Sequence, residues 1–123
     1  ASRHRPIRRQ LSANMVSAIE SADDFKKKVK LADPEKLVVV DFYATWCMPC
    51  KMIAPKIEKM AKDEFPDVLF FKVDVDDNED TAQEEDITAM PTFHFYRNGE
   101  QIKDAVVMGA NEEAIRNAII KHK

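Results

Sequence analysis

Short apolar runs alternate along the chain with segments whose apolar residues recur every three or four positions. "MVSAI" at residues 15–19 predicts a short strand. Ser21 with Asp24 three residues on resembles a capping box, so a helix should open there and run to about Lys30, with Asp33-Pro34 ending it. "LVVVDFY" at 37–43 is apolar on both strand faces apart from Asp41, the pattern of a central strand covered on both sides. After Cys47, Ile53, Ile57 and Met60 or Ala61 fall at helical spacing. This helix contains Pro55, a point for a kink, and should stop before Pro66. "VLFFKVDV" at 68–75 predicts a second buried strand, and a short acidic helix follows around Glu79–Glu85. "TFHFYRNGEQIKDAVVM" reads as two strands joined by Asn98-Gly99, the preferred pair for a type I′ hairpin turn. Asn111 should cap a last helix whose Ile115, Ala118 and Ile119 face the sheet.

The order is therefore βαβαβαββα, an α/β class with parallel crossovers early and an antiparallel hairpin late. A chain of 123 residues with 45% hydrophobic content can bury one ordinary core without a disulfide framework. No apolar run approaches a membrane span. Only Gly99 and Gly109 are glycines, so neither a GxGxxG nor a Walker loop can be written, and no nucleotide is bound by those routes.

Charge is uneven. Four of the 19 basic residues, all arginines, lie in residues 1–14 with no acid among them, which leaves 15 basic against 22 acidic residues and a net charge of −7 in the rest. Such an acidic body is a poor nucleic-acid ligand. Residues 1–14 read as a basic extension outside the fold, a transit-peptide remnant or vector-derived, and residues 15–123 as the domain.

Both cysteines, Cys47 and Cys50, stand in "ATWCMPCKM". A structural crosslink is the weakest reading, because so short a loop constrains little unfolded chain. A metal site needs two more soft or imidazole ligands, and the histidines are only His4, His94 and His122. A zinc bridge between two such motifs and a non-catalytic interaction module remain as the alternatives to a reversible redox pair. Position favours the redox pair: Cys47 lies just past the C-terminal end of a central strand, where sites of open α/β sheets gather, and at the start of the next helix. Unpaired N–H groups and the positive dipole end favour a thiolate there, and Pro49 suits the first turn because its missing N–H is not needed. Cys47 should be the exposed nucleophile and Cys50, one turn inside, the partly buried resolving thiol.

"VVVDFYATWCMPCKMIAPKIEKMA", "FFKVDVDDNEDTA", "MPTFHFYRNGE" and "MGAN" together resemble the thioredoxin family over nearly all of Met15 to Lys123. The resemblance implies a three-layer α/β/α thioredoxin fold with a central mixed sheet. It also implies thiol–disulfide oxidoreductase activity toward protein disulfides through Cys47 and Cys50. Electrons would come from NADPH by way of thioredoxin reductase, to a monomer with no bound cofactor. It makes Asp41, desolvated in its strand, the group that takes or returns the Cys50 proton. Lys72 either pairs with Asp41 or snorkels to solvent. Trp46 would shield the thiolate and contact the target protein. Pro91 would be cis, setting the Met90 backbone beside the disulfide, where a target strand can pair with it. Met48, Thr92, Gly109 and Ala110 complete the implied docking surface. Two positions depart from the usual family pattern: Met48 stands in place of Gly, and Tyr43 in place of the second Trp of many members. The implied compartment is the cytoplasm, or the mitochondrial matrix if the arginine-rich segment is a transit remnant.

Overall fold

The computed structural model describes residues 15–123; the extension at 1–14 lies outside the described residues. Strand β1 (Val16–Ala18) is followed by helix α1 (Ala22–Phe25), which continues through Lys26–Lys30 with wider i→i+5 bonds. Its cap is the one foreseen: the Asp24 N–H donates to Ser21 Oγ at 3.0 Å. The return bond reaches one residue further than in a standard box, from the Glu20 N–H to Asp24 Oδ2 at 3.0 Å. Strand β2 (Val38–Tyr43) leads to α2 (Met48–Lys59), which runs through Pro55 and on over Met60–Glu64. It stops at Phe65, whose backbone (φ −132°, ψ 65°) leaves the helical region that a residue preceding proline avoids. Strand β3 (Leu69–Asp74), helix α3 (Glu79–Glu84) and strand β4 (Thr92–Arg97) follow.

The second hairpin strand departs from expectation. Instead of one strand there are two fragments, β5 (Glu100–Gln101) and β6 (Val107–Met108), separated by a 3₁₀ turn over Lys103–Ala105. Two adjacent charged residues, Lys103 and Asp104, cannot both face solvent in an alternating strand. The turn exposes both and tucks Ala105 into the core at 6% exposure. The turn at Asn98-Gly99 is as foreseen, with φ of 55° and 78°. Helix α4 (Glu112–His122) closes the chain, and its Ala114 N–H donates to Asn111 Oδ1 at 3.0 Å.

The sheet order is β1-β3-β2-β4-β5, with β6 also on β4. β1, β3 and β2 are parallel, whereas β4 is antiparallel to β2 with Asp41 opposite Phe93. Period-two alternation sorts β2 between two cores. Val39 joins Ile53 and Ile57 of α2 and Ile115 and Ile119 of α4 on one face. Val38, Val40 and Phe42 join Phe25 and Val29 of the α1 segment on the other. Each fully buried aliphatic or aromatic side chain contributes on the order of 1.5–3 kcal/mol. The strand that ends at the cysteine loop is thereby clamped between two helical layers, so the loop starts from a rigid base.

Candidate active site

Cys47 is the N-cap of α2, with an extended backbone (φ −85°, ψ 112°), and its sulfur accepts the Cys50 N–H at 3.2 Å. Pro49 occupies the first turn, where no N–H is missed. The two cysteines form a disulfide with their Cα atoms 5.3 Å apart. The expected contrast between an exposed Cys47 and a buried Cys50 is not observed. They are 5% and 4% exposed, because Tyr43, Ala44, Val75 and Met90 pack around the pair. The difference between them is one of surroundings. The Cys47 sulfur faces the Met90 carbonyl oxygen at 3.6 Å and takes the helix N–H, whereas Cys50 sits inside the first turn.

The 90–92 segment reaches the disulfide through a cis Met90–Pro91 peptide. Thr92 Oγ1 donates to the Ala89 carbonyl at 2.7 Å, and the Gly109 N–H donates to the Pro91 carbonyl at 2.8 Å. Met90, Pro91, Thr92 and Gly109 are thus tied into one assembly beside Cys47, with Ala110 exposed next to it. Gly109 has φ 94° with open space where a Cβ would stand. Trp46 and Met48, at 67% and 63% exposure, flank Cys47 on the surface.

Asp41 lies on the Val39 face of β2, the face covered by the helix that carries Cys50. It is 6% exposed, and its Oδ1 has no hydrogen-bond partner. Burial pushes its pKa up to about 7, and the charge of Lys72, its register partner on β3, pulls the other way. Lys72 does not close on the carboxylate; its Nζ stands over the Tyr43 ring, 5.9 Å from the centroid. Of the two readings of Lys72, a close pair with Asp41 is not formed, and its charge reaches the carboxylate only at longer range. Burial raises the Tyr43 phenol pKa, and the carboxylates of Asp74, Asp41 and Asp77 add to the rise.

Sequence reasoning passed over two residues. Asp76 Oδ2 accepts the Trp46 indole Nε1–H at 2.9 Å across 30 residues of chain, so no local pattern reveals it. Met52, 66% exposed, lies four residues after Met48 and shares its helix face.

Compared with known proteins, residues 16–121 match the family model described as Thioredoxin. The chain belongs to the thioredoxin family. It is similar to the thioredoxin of Geodia cydonium, with 53% identity over 109 residues, 89% of this chain and 100% of that one. The Fasciola hepatica thioredoxin structure superposes with TM-score 0.82 at 44% identity, covering 88% of this chain and 100% of the other. The oxidised mitochondrial thioredoxin 3 of Saccharomyces cerevisiae gives TM-score 0.76 at 37% identity, covering 86% and 94%. Thioredoxins are protein-disulfide oxidoreductases, and in this thioredoxin the CxxC pair is the redox-active disulfide of that chemistry. The fold expected from the sequence, a mixed sheet between two helical layers, is the one found.

Among the described residues, no three or more His, Cys, Asp or Glu side chains gather as a metal site. His94 is buried on the face away from α2, where Nδ1 lies 3.2 Å from the Tyr96 hydroxyl and 3.8 Å from Glu85 Oε1. Also among the described residues, no helix is long and apolar enough to cross a membrane.

Proposed function

We propose that this thioredoxin reduces target-protein disulfides with Cys47 as nucleophile and Cys50 as resolving thiol. The observation that carries the assignment is the N-cap contact: the Cys47 sulfur receives the Cys50 N–H at 3.2 Å, an interaction that strengthens when that sulfur is a thiolate. In the reduced protein the Cys47 thiolate attacks one sulfur of the target, and the other leaves as a thiolate and takes up a proton. Cys50 then loses its proton and attacks the Cys47 sulfur. Target thiol is released, and the Cys47–Cys50 disulfide remains, two electrons having passed to the target. Asp41 accepts the Cys50 proton, a role that suits a carboxylate whose pKa is pushed up to about 7.

A thiolate made less basic is also a weaker nucleophile, with a Brønsted slope of about 0.45, so lowering the pKa alone yields a modest gain. Positioning supplies the rest. Trp46, Met48, Met90, Thr92, Gly109 and Ala110 dock the target, with the Met90 backbone pairing to an extended segment of it. Pro49 and Pro91 hold the two loops, and Lys72 tempers the charge on Asp41.

The electrons come from NADPH by way of thioredoxin reductase, and the protein works as a monomer with no bound cofactor. Residues 15–123 form the working domain, and 1–14 are an extension to it. The cytoplasm is the proposed compartment; the mitochondrial matrix is the alternative, supported by the arginine-rich extension and by similarity to a mitochondrial thioredoxin. The test is NADPH consumption with thioredoxin reductase and insulin as the target. Sustained turnover that vanishes in Cys47→Ser supports the reading; no turnover, or turnover indifferent to that change, defeats it.

A further inference from the structure

The chain carries two cysteines and six methionines, and in the disulfide state neither cysteine offers a thiol. The sulfur that peroxide can then reach is thioether sulfur, and exposure varies sharply among the methionines. Met60 is fully buried at 0%, and Met90 is half-buried against the disulfide. Met48 and Met52 are 63% and 66% exposed. They sit one turn apart on the outer side of α2, directly after the cysteine that faces Met90. Met15, at 58%, precedes the edge strand β1, and Met108, at 62%, pairs across β6 with Thr92. Thr92 belongs to the alternate positions of β4 that face the α1 side, as Tyr96 does, so Met108 lies off the α2 surface.

A surface thioether beside the reacting sulfur has two properties of use. It is flexible and polarizable, so it fits varied apolar partners, and it is open to two-electron oxidants. Peroxide transfers one oxygen: the sulfur lone pair attacks, the O–O bond breaks, and the products are a sulfoxide and water. The sulfur is oxidised and the peroxide reduced, with no change at the disulfide. The new S=O group is polar, demands hydration and no longer packs against an apolar partner.

We propose that Met48 and Met52 form an oxidation-sensitive docking strip. Peroxide that persists after the disulfide has closed converts them to sulfoxides and thereby weakens reduction of protein disulfides, leaving the exchange chemistry of Cys47 intact. The inference rests on the proposed docking of targets around Cys47. It adds a second, slower redox response to the same site: disulfide closure first, loss of target recognition second.

The test starts from the full chain in its disulfide form, treated with hydrogen peroxide, mapped by peptide mass spectrometry and freed of oxidant. After dithiothreitol reduction, rates are measured on insulin and on a small aryl disulfide. The expected result is a fall of about tenfold on insulin against less than about twofold on the small reagent. In Met48→Leu/Met52→Leu, the treated-to-untreated ratio on insulin should stay near one, whatever that variant's starting rate. Equal losses on both substrates overturn the proposal. So does a full loss on insulin in the double variant, which would locate the damage at another residue such as Met90 or Trp46. A chain that reduces neither substrate before treatment overturns the docking reading as well, so the two failures are told apart by the untreated rates.

Discussion

The indole of Trp46 is held by Asp76: Nε1–H donates to Oδ2 at 2.9 Å although Trp46 is 67% exposed. Asp76 is itself set by a turn in which its N–H donates to Asp74 Oδ1 at 2.9 Å. A large, exposed ring next to Cys47 in the chain is thus tied to the turn after β3. The acidic turn after β3 acts on the cysteine loop after β2.

Asp76→Ala should release that ring. An exposed hydrogen bond contributes about 0.5–1.5 kcal/mol, so the melting temperature should fall by no more than a few degrees. Target reduction should fall about threefold, with the rate toward a small aryl disulfide nearly unchanged, and the Trp46 emission should shift. Identical emission and identical rates would show that Asp76 does not position Trp46.

Cys50→Ser should accumulate mixed disulfides with target proteins through Cys47, because the nucleophile survives and the resolver is lost. Electrophoresis without reductant, followed by peptide mapping, reads this directly. Equal adducts from Cys47→Ser would reverse the two roles. The similar burial of the cysteines, 5% and 4%, makes this assignment depend on the helix N–H at Cys47 and not on accessibility.

Gly99→Ala should cost about 2 kcal/mol or more. A Cβ there would stand 2.6 Å from the Lys30 carbonyl oxygen, and the backbone has φ 78°, which L side chains rarely adopt. Thermal or urea melts against the parent check this. A change below about 0.5 kcal/mol would mean that the Lys30 end of α1 shifts freely.

Local rules made most of this fold readable. The continuous apolar run around Asp41 announced a doubly covered strand, and Ser21 and Asn111 announced their helices, because each signal acts within a few residues. The break at Lys103-Asp104 was masked by Val106, Val107 and Met108, which supply the apolar residues of an unbroken strand and outweigh the one local sign against it, the two adjacent charges. At the site, the cysteine pair and the burial of Asp41 were legible from motif and position. The Trp46–Asp76 bond was not, since its partners are 30 residues apart and an acidic run normally reads as a solvated face.

Asp41 supplies a pH signature whose sign follows from its surroundings. Its carboxyl titrates at about 7 in the folded protein, with burial as the main cause, against 3.8 when exposed. Between those values the folded state holds a proton that the unfolded state has lost. The protonated carboxyl therefore contributes stability that is complete below about pH 4 and is lost as pH rises through about 7. The span corresponds to about 4 kcal/mol, an upper figure because local hydration softens it. Asp41→Asn should flatten this decline. At pH 8 it should leave the disulfide form about 1–3 kcal/mol more stable than the parent, the buried amide retaining part of the desolvation penalty. The same change removes the proposed proton acceptor for Cys50, so target reduction should slow several-fold near neutral pH and lose its inflection near pH 7. Melts and rate profiles from pH 5 to 9 on one preparation test both. A stability gain without any change in the rate profile would leave Asp41 a structural residue, and the Cys50 proton would have to depart by another route.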